Sequence, residues 1–105
     1  MSARNPISAE MAVRVEARAG ELRHKAFSEL VSLPEWDTVN LDLSGEPVHL
    51  TVFRATRADD EVLVVVQAAR ERFLGIFTEI RVVGFLARPS GERAEAPEEL
   101  LWDYK

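Results

Sequence analysis

The sequence contains no cysteine among its 105 residues. This absence excludes a disulfide framework, a thiolate zinc site and catalysis by a cysteine nucleophile. The five glycines are scattered along the chain, so there is no glycine-rich loop of the kind that binds phosphate. No apolar run approaches the roughly 18 residues of a membrane span, and the N-terminal sequence has no apolar core of a signal peptide. We therefore expect a soluble, cytoplasmic protein.

The composition that remains is typical of a globular protein, with 47% hydrophobic and 30% charged residues. A length of 105 residues fits one α+β domain spanning residues 1–105. The net charge of −5 disfavours general binding to nucleic acid or to anionic lipid. The charge is uneven, because residues 35–65 carry seven acids against two arginines.

Residues 6–32 show the period of one long helix. Apolar residues recur at spacings of three and four and form one stripe: Met11, Val15, Ala19, Leu22, Ala26, Leu30 and Leu33. Pro6 suits the first turn, with Asn5 as the N-cap. Pro34 ends the helix because the residue before a proline avoids helical angles. Gly20 lies mid-helix and costs about 1 kcal/mol relative to alanine.

After Pro34 the period changes from helical to alternating, which predicts four strands separated by turn sequences. They are Thr38 to Ser44, Val48 to Thr56, Glu61 to Arg70 and Ile76 to Arg88. A short helix over Ala68 to Leu74 is the alternative interpretation of that segment. Gly84 predicts a bulge in the fourth strand. The acidic pair after Pro97 predicts the start of a short C-terminal helix.

The short connections between these strands favour an antiparallel meander. The predicted fold class is therefore α+β, with a long N-terminal helix packed on a four-stranded antiparallel sheet and a short C-terminal helical tail. This order of elements is similar to that of cystatin-like folds. The resemblance is architectural only, because the Gln-x-Val-x-Gly motif of the cystatin inhibitors is absent: Gln67 is followed by Ala68, Ala69 and Arg70.

The stretch EVLVVVQAAR, from Glu61 to Arg70, is apolar on both of its alternating faces. A strand of this kind is covered on both sides, and one helix covers only one face of a sheet. If the even-numbered residues of the last three strands face the helix, the outer face combines apolar and polar residues. The apolar members are Phe53, Leu63, Val65, Phe77, Val83 and Phe85, and the polar ones include Glu79 and Arg81. Soluble monomers rarely expose contiguous apolar patches beyond about 300–600 Å², so this face requires a cover.

Two covers are open to the outer face: the C-terminal segment with its apolar end, and a second molecule. Our leading hypothesis is a non-enzymatic protein-interaction domain that forms a homodimer through the outer sheet face. The predicted interface residues are Phe53, Val65, Phe77, Val83 and Phe85, with Glu79 and Arg81 as a salt-linked pair at the rim. No cofactor is expected.

The alternative is a small-ligand-binding or enzymatic domain with an apolar pocket between the helix and a curved sheet. Trp36, Phe73 or Trp102 would then lie at the mouth of that pocket. The sequence contains no serine within a Gly-x-Ser-x-Gly motif and no other catalytic signature. The pocket is therefore an inference from architecture alone.

Metal binding is not predicted. His24 and His49 lack a shared carboxylate pattern of the kind that ligates a metal. Asp59, Asp60 and Glu61 place three carboxylates together, which is typical of a cation site. A solvated turn with side chains that cap backbone groups is the favoured interpretation of this cluster.

One stretch, ARERFLGIF, combines basic and aromatic residues: Arg70 and Arg72 with Phe73 and Phe77. Such a mixture can bind single-stranded nucleic acid by stacking and charge. Glu71 lies between the arginines and the chain is acidic overall, so a hairpin is the favoured interpretation and a nucleic-acid partner is not expected.

Overall fold

The computed structural model describes residues 6–72 and 77–105, and the side chains of residues 7–71 and 78–105. Its helices are α1 Pro6–Arg23, α2 Phe27–Val31 and α3 Glu98–Leu101, and its strands are β1 Trp36–Leu43, β2 Glu46–Thr56, β3 Val62–Arg72, β4 Phe77–Ala87 and β5 Arg93–Glu95. The strands form one antiparallel meander in the order β1-β2-β3-β4-β5. The α+β class, the meander and the short C-terminal helix are confirmed, whereas the predicted number of four strands is wrong.

The additional strand is β5, whose three residues pair with the end of β4 from Phe85 to Ala87. The hairpin between them closes through a hydrogen bond from the Gly91 N–H to the carbonyl of Arg88, and Gly91 has a φ of +97°. Glycine takes this angle without a Cβ clash. The sequence of β5 has no apolar alternation, so the periodicity that predicted the other strands is absent from it.

The single helix predicted over residues 6–32 is wrong, because the chain breaks between α1 and α2. Ala26 is extended, with a ψ of 151°, and its N–H donates to the carboxylate of Glu29. Arg93 on β5 donates to the carbonyl of Lys25 at 2.8 Å, and His24 Nδ1 lies 2.7 Å from the carbonyl of Gly20. Side chains therefore satisfy backbone groups at the break that a continuous helix would bond internally.

The core lies between the two N-terminal helices and one face of the sheet, the helix face. The predicted stripe of α1 is confirmed, since Met11, Val15, Ala19 and Leu22 are at most 2% exposed. The sheet contributes these buried residues: Leu43, Val48, Val62, Val64, Val66, Ala68, Phe85 and Ala87. Burial of each large side chain contributes roughly 1.5–3 kcal/mol, so this stripe fixes α1 across β3 and β4.

The predicted facing of β4 is wrong. Val64 pairs with Phe85 and Val66 with Val83, and cross-strand partners share a face. The odd-numbered residues of β4 therefore face the helices, and the even-numbered ones lie on the opposite, outer face. The guanidinium of Arg23 on α1 lies 5.5 Å from the centroid of the Phe85 ring, which confirms this orientation.

The outer face is crossed by the C-terminal segment, residues 97–105, from β4 towards β2. Leu101 packs on Gly84 of β4, and Gln67 of β3 donates to the backbone carbonyl of Tyr104. The Tyr104 ring lies 4.9 Å from the ring of Phe53 on β2. The predicted bulge at Gly84 is wrong, because the register of β3 and β4 continues unbroken through it. Gly84 instead permits the close approach of Leu101.

Alanine substitution at two glycines should change the free energy of unfolding in opposite directions. A Cβ at Gly84 would lie 2.7 Å from Leu101 Cδ2 and 3.1 Å from the carbonyl oxygen of Val64, so Gly84→Ala should lower the free energy of unfolding by about 1–3 kcal/mol. A Cβ at Gly20 meets nothing within 4 Å, so Gly20→Ala should raise the free energy of unfolding by about 0.5–1 kcal/mol. Urea unfolding followed by circular dichroism measures both. A stabilising Gly84→Ala would contradict the described seat of the C-terminal segment.

Candidate interaction surface

The outer face of the sheet carries very little charge. Its residues alternate along β1 to β4 with the observed register: Trp36, Thr38, Asn40 and Asp42; Pro47, His49, Thr51, Phe53 and Ala55; Leu63, Val65, Gln67, Ala69 and Glu71; Thr78, Ile80, Val82, Gly84 and Leu86. Only Asp42 and Glu71 among them are acidic, and none is Lys or Arg. In a chain with 30% charged residues, this face is low in charge, and its two acidic residues lie near strand ends.

The C-terminal segment covers the β3–β4 side of this face and reaches Phe53 on β2, and it leaves β1 open. On the covered side, Val65 is fully buried and Leu63 is 4% exposed. Between β1 and β2, the side-chain oxygen of Asn40 lies 2.7 Å from Nδ1 of His49. Two threonine hydroxyls form a second cross-strand pair. Polar side chains here are thus satisfied by one another and are held in fixed positions.

Both tryptophans of the chain lie exposed at the surface. Trp36 is 65% exposed, on the outer face beside its cross-strand partner Phe53. Trp102 is 66% exposed and lies on the C-terminal segment, next but one to Tyr104, whose ring contacts Phe53. We call these four residues the aromatic patch. Tryptophan is highly buried on average in folded proteins and dominates binding hot spots, so two exposed tryptophans distinguish this side of the molecule.

The seven predicted interface residues do not share one face. Phe53 and Val65 lie on the outer face, although Val65 is fully buried. Glu79, Arg81, Val83 and Phe85 lie on the helix face, which corrects their predicted position, and the side chain of Phe77 lies outside the described residues. Glu79 and Arg81 do form an ion pair, at 3.6 Å. These four residues were misplaced because the even-numbered residues of β4 were assumed to face the helix.

The ion pair of Glu79 belongs to a polar cluster on the helix face. Arg70 Nε donates to one carboxylate oxygen of Glu79 at 2.8 Å, and the hydroxyl of Ser8 on α1 donates to the other. The Arg70 side chain is 5% exposed and the Glu79 side chain 14% exposed. Arg70, predicted as a possible nucleic-acid contact, is therefore inside the protein, and the side chains of the neighbouring Arg72 and Phe73 lie outside the described residues.

Burial raises the pKa of Glu79, but hydrogen bonds from Ser8 and Arg70 and the charges of Arg70 and Arg81 together outweigh it and hold the pKa below its usual value of 4.5. A carboxylate stabilised in its ionised form by this many donors is a weak proton acceptor. The cluster therefore attaches the first turn of α1 to β3 and β4 and has the properties of a structural site rather than a catalytic one.

The other candidate groups are dispersed. His24 lies at the end of α1 and His49 on β2, and Asp59 and Asp60 are exposed in a turn. Glu61 binds Arg57 and Arg88, each at 3.2 Å. Across residues 6–72 and 77–105, no three His, Asp or Glu side chains are grouped so that they could hold a metal ion.

Between the helices and the sheet, the described structure places a cluster of buried apolar side chains. A cleft of about 300 Å³ opens beside α2, lined by Phe27, Val31, Thr56, Asp60, Val62 and Pro89. It presents one carboxylate and no converging set of polar groups. None of the described helices is both long and apolar enough to cross a membrane.

The Glu79 cluster predicts a specific dependence of stability on pH. Since the pKa of Glu79 is lowered by folding, its contribution is present above the unfolded-state pKa and is lost as the pH falls through the folded-state value. Glu79→Gln should lower the free energy of unfolding at neutral pH by about 3–5 kcal/mol, because it leaves Arg70 buried without a counter-charge. The loss of stability between about pH 5 and pH 3 should be smaller in Glu79→Gln than in the natural protein.

Urea titrations at several pH values measure this effect, and Glu98→Gln is the matched control. A hydrogen bond from Lys105 and its charge also lower the pKa of Glu98, but that carboxylate is exposed to solvent, so its substitution should hardly change stability. Equal pH dependence of Glu79→Gln and the natural protein would refute the structural role assigned to Glu79.

Comparison of the chain with family models, with curated proteins and with solved structures found no significant match.

Proposed function

We propose that the protein is a non-enzymatic protein-interaction domain that forms a homodimer through the outer face of its sheet, centred on the aromatic patch. The observation that carries this proposal is the combination of a sheet face of low charge with two exposed tryptophans. Interface centres are depleted in charge and enriched in aromatic residues, which is the composition found here.

The distribution of charge favours a second copy as the partner on this face. Two chains with a net charge of −5 each repel one another. Contact between two outer faces limits this repulsion, because the outer face of the sheet carries only Asp42 and Glu71, both near strand ends, while the C-terminal segment adds Glu98, Glu99 and Asp103 against Lys105. A two-fold arrangement would place the same patch on both chains.

The proposed interface retains Phe53 from the predicted set and moves its centre to the β1–β2 side. This shift follows from the C-terminal segment, which already buries Val65 and packs on Gly84. Trp36 lies at the open edge of the patch, where its ring can be enclosed by a partner. The Asn40–His49 pair then provides polar groups at the rim.

The proposal is tested by the mass of the protein in solution. Light scattering coupled to size-exclusion chromatography, at about 50 μM and above the Kd expected of a weak dimer, should report twice the 11.8 kDa of the chain. Trp36→Ala should weaken the dimer by at least about thirtyfold, the effect of removing a hot-spot side chain, and should leave the circular dichroism spectrum unchanged.

Val13→Ala is the matched control. Val13 is also 65% exposed, but it lies on α1 on the opposite side of the sheet, so its substitution should not change the dimer. A monomer at every concentration, or equal weakening by Trp36→Ala and Val13→Ala, would refute the proposed interface.

A further inference from the structure

The free edge of β1 is a second surface suited to binding. Strand β1 pairs with β2 on one side and with no described strand on the other. Its residues from Trp36 to Asn40 are all exposed. An exposed edge strand presents a row of unpaired backbone N–H and C=O groups, which is a template for another strand.

The hydrogen bonds to β2 determine which backbone groups of β1 point outwards. The N–H of Arg54 donates to the carbonyl of Glu35 at 2.9 Å, and these two residues occupy the register of the β1–β2 ladder. In an antiparallel pair, hydrogen-bonded residues alternate along the strand. The odd-numbered residues of β1 therefore bond to β2, and the even-numbered residues point their N–H and C=O groups to the free edge: Trp36, Thr38, Asn40 and Asp42.

The side chains beside this edge differ between the two faces. On the helix face, Val39 is 52% exposed and Leu41 is half-buried, since α1 packs mainly over β3 and β4. On the outer face, β1 presents polar side chains after Trp36. A strand added to this edge would bury apolar residues on the helix face and keep polar residues on the outer face.

The charges carried by β1 and by β2 as far as Phe53 are of one sign, although Arg54 lies beside Glu35 at the start of β1 and Lys25 pairs with Glu29. Residues 26–53, which comprise α2, β1 and most of β2, include five acids and neither Lys nor Arg. Asp37 and Asp42 lie on β1 itself and are exposed. Pairing with β1 of a second copy would place two acidic strands side by side, which the repulsion between their like net charges opposes. A basic strand would experience attraction at the same positions.

We propose that the free edge of β1 binds an extended, basic segment of a protein partner by strand addition, with Lys or Arg alternating with apolar residues. The backbone of the segment pairs with the even-numbered residues of β1, and its apolar side chains lie beside Val39 and Leu41. Its basic side chains lie on the outer face near Asp42 and near the ring of Trp36, which attracts cations. This site adjoins the proposed dimer interface and shares Trp36 with it, but it also uses the free backbone groups of β1, which the dimer interface does not use.

Three synthetic peptides of eight residues, the length of β1, separate backbone pairing from simple charge attraction. The first alternates lysine with valine, the second alternates glutamate with valine, and the third is the lysine peptide with N-methyl groups on all of its backbone amides. Fluorescence anisotropy at about 50 mM salt should show binding of the first peptide alone. Equal binding of the N-methylated peptide would overturn strand addition, and no binding of the first peptide would overturn the proposal.

Substitutions on β1 test the same site from the protein side. Asn40→Pro removes an outward N–H without removing a bond to β2, as is tolerated on edge strands, and should weaken binding at least about tenfold. Asn40→Ala keeps that N–H and should bind as the natural protein does. The double variant Asp37→Asn/Asp42→Asn preserves the fold by design and should weaken binding about three- to tenfold.

Amide hydrogen exchange locates the bound peptide. The lysine peptide should slow exchange at Trp36, Thr38, Asn40 and Asp42, whose N–H groups point outwards, and leave the odd-numbered amides of β1 unchanged. If these four amides exchange slowly without peptide, and more slowly as the protein concentration rises, a second copy occupies the edge. That result would overturn the proposal. Light scattering on the same samples separates the two proposals. A dimer that does not bind the peptide would refute strand addition but not the proposed dimer.

Discussion

Double-sided burial of β3 is the constraint on which the rest of the structure depends. The five consecutive residues Val62 to Val66 are at most 4% exposed, although alternate ones point to opposite faces. One face is covered by α1, and the other is covered in part by the C-terminal segment that reaches Gly84 and Phe53. A sheet that is apolar on both faces requires three layers, and a chain of this length supplies the third with only a few residues. The third layer is therefore incomplete, and the uncovered part of the outer face is where the aromatic patch lies.

The sequence predicted the elements whose signal is local. The stripe of α1, the alternation of β1 to β4 and the turn residues each follow from neighbouring side chains. The break after α1 was not predictable in this way, because it depends on Arg93, which is distant in sequence and bonds the carbonyl of Lys25. The facing of β4 depends on the number of residues between the paired Arg72 and Phe77. An even number of intervening residues pairs odd-numbered residues of one strand with even-numbered residues of the other. The alternation of apolar residues alone does not specify this pairing.

The candidate surface was predictable in kind but not in position. The surplus of apolar residues on β3 correctly indicated that both faces of the sheet require a cover, and the apolar end of the chain indicated one such cover. The proposed role of Trp36 depends on its being left outside that cover, which is visible only once Tyr104 is placed against Phe53. The outward backbone groups of β1 likewise depend on the hydrogen-bond phase of the β1–β2 ladder, for which side-chain patterns carry no information.

Because both tryptophans lie outside the core, tryptophan fluorescence reports on contacts at the surface rather than on folding. The two indoles of the chain are both largely in contact with water in the folded state, and the buried core contains none. Emission from the folded chain should therefore already resemble that of free tryptophan, so that loss of the fold changes its colour little. The same emission becomes a sensitive reporter when a partner encloses either indole and excludes water from it.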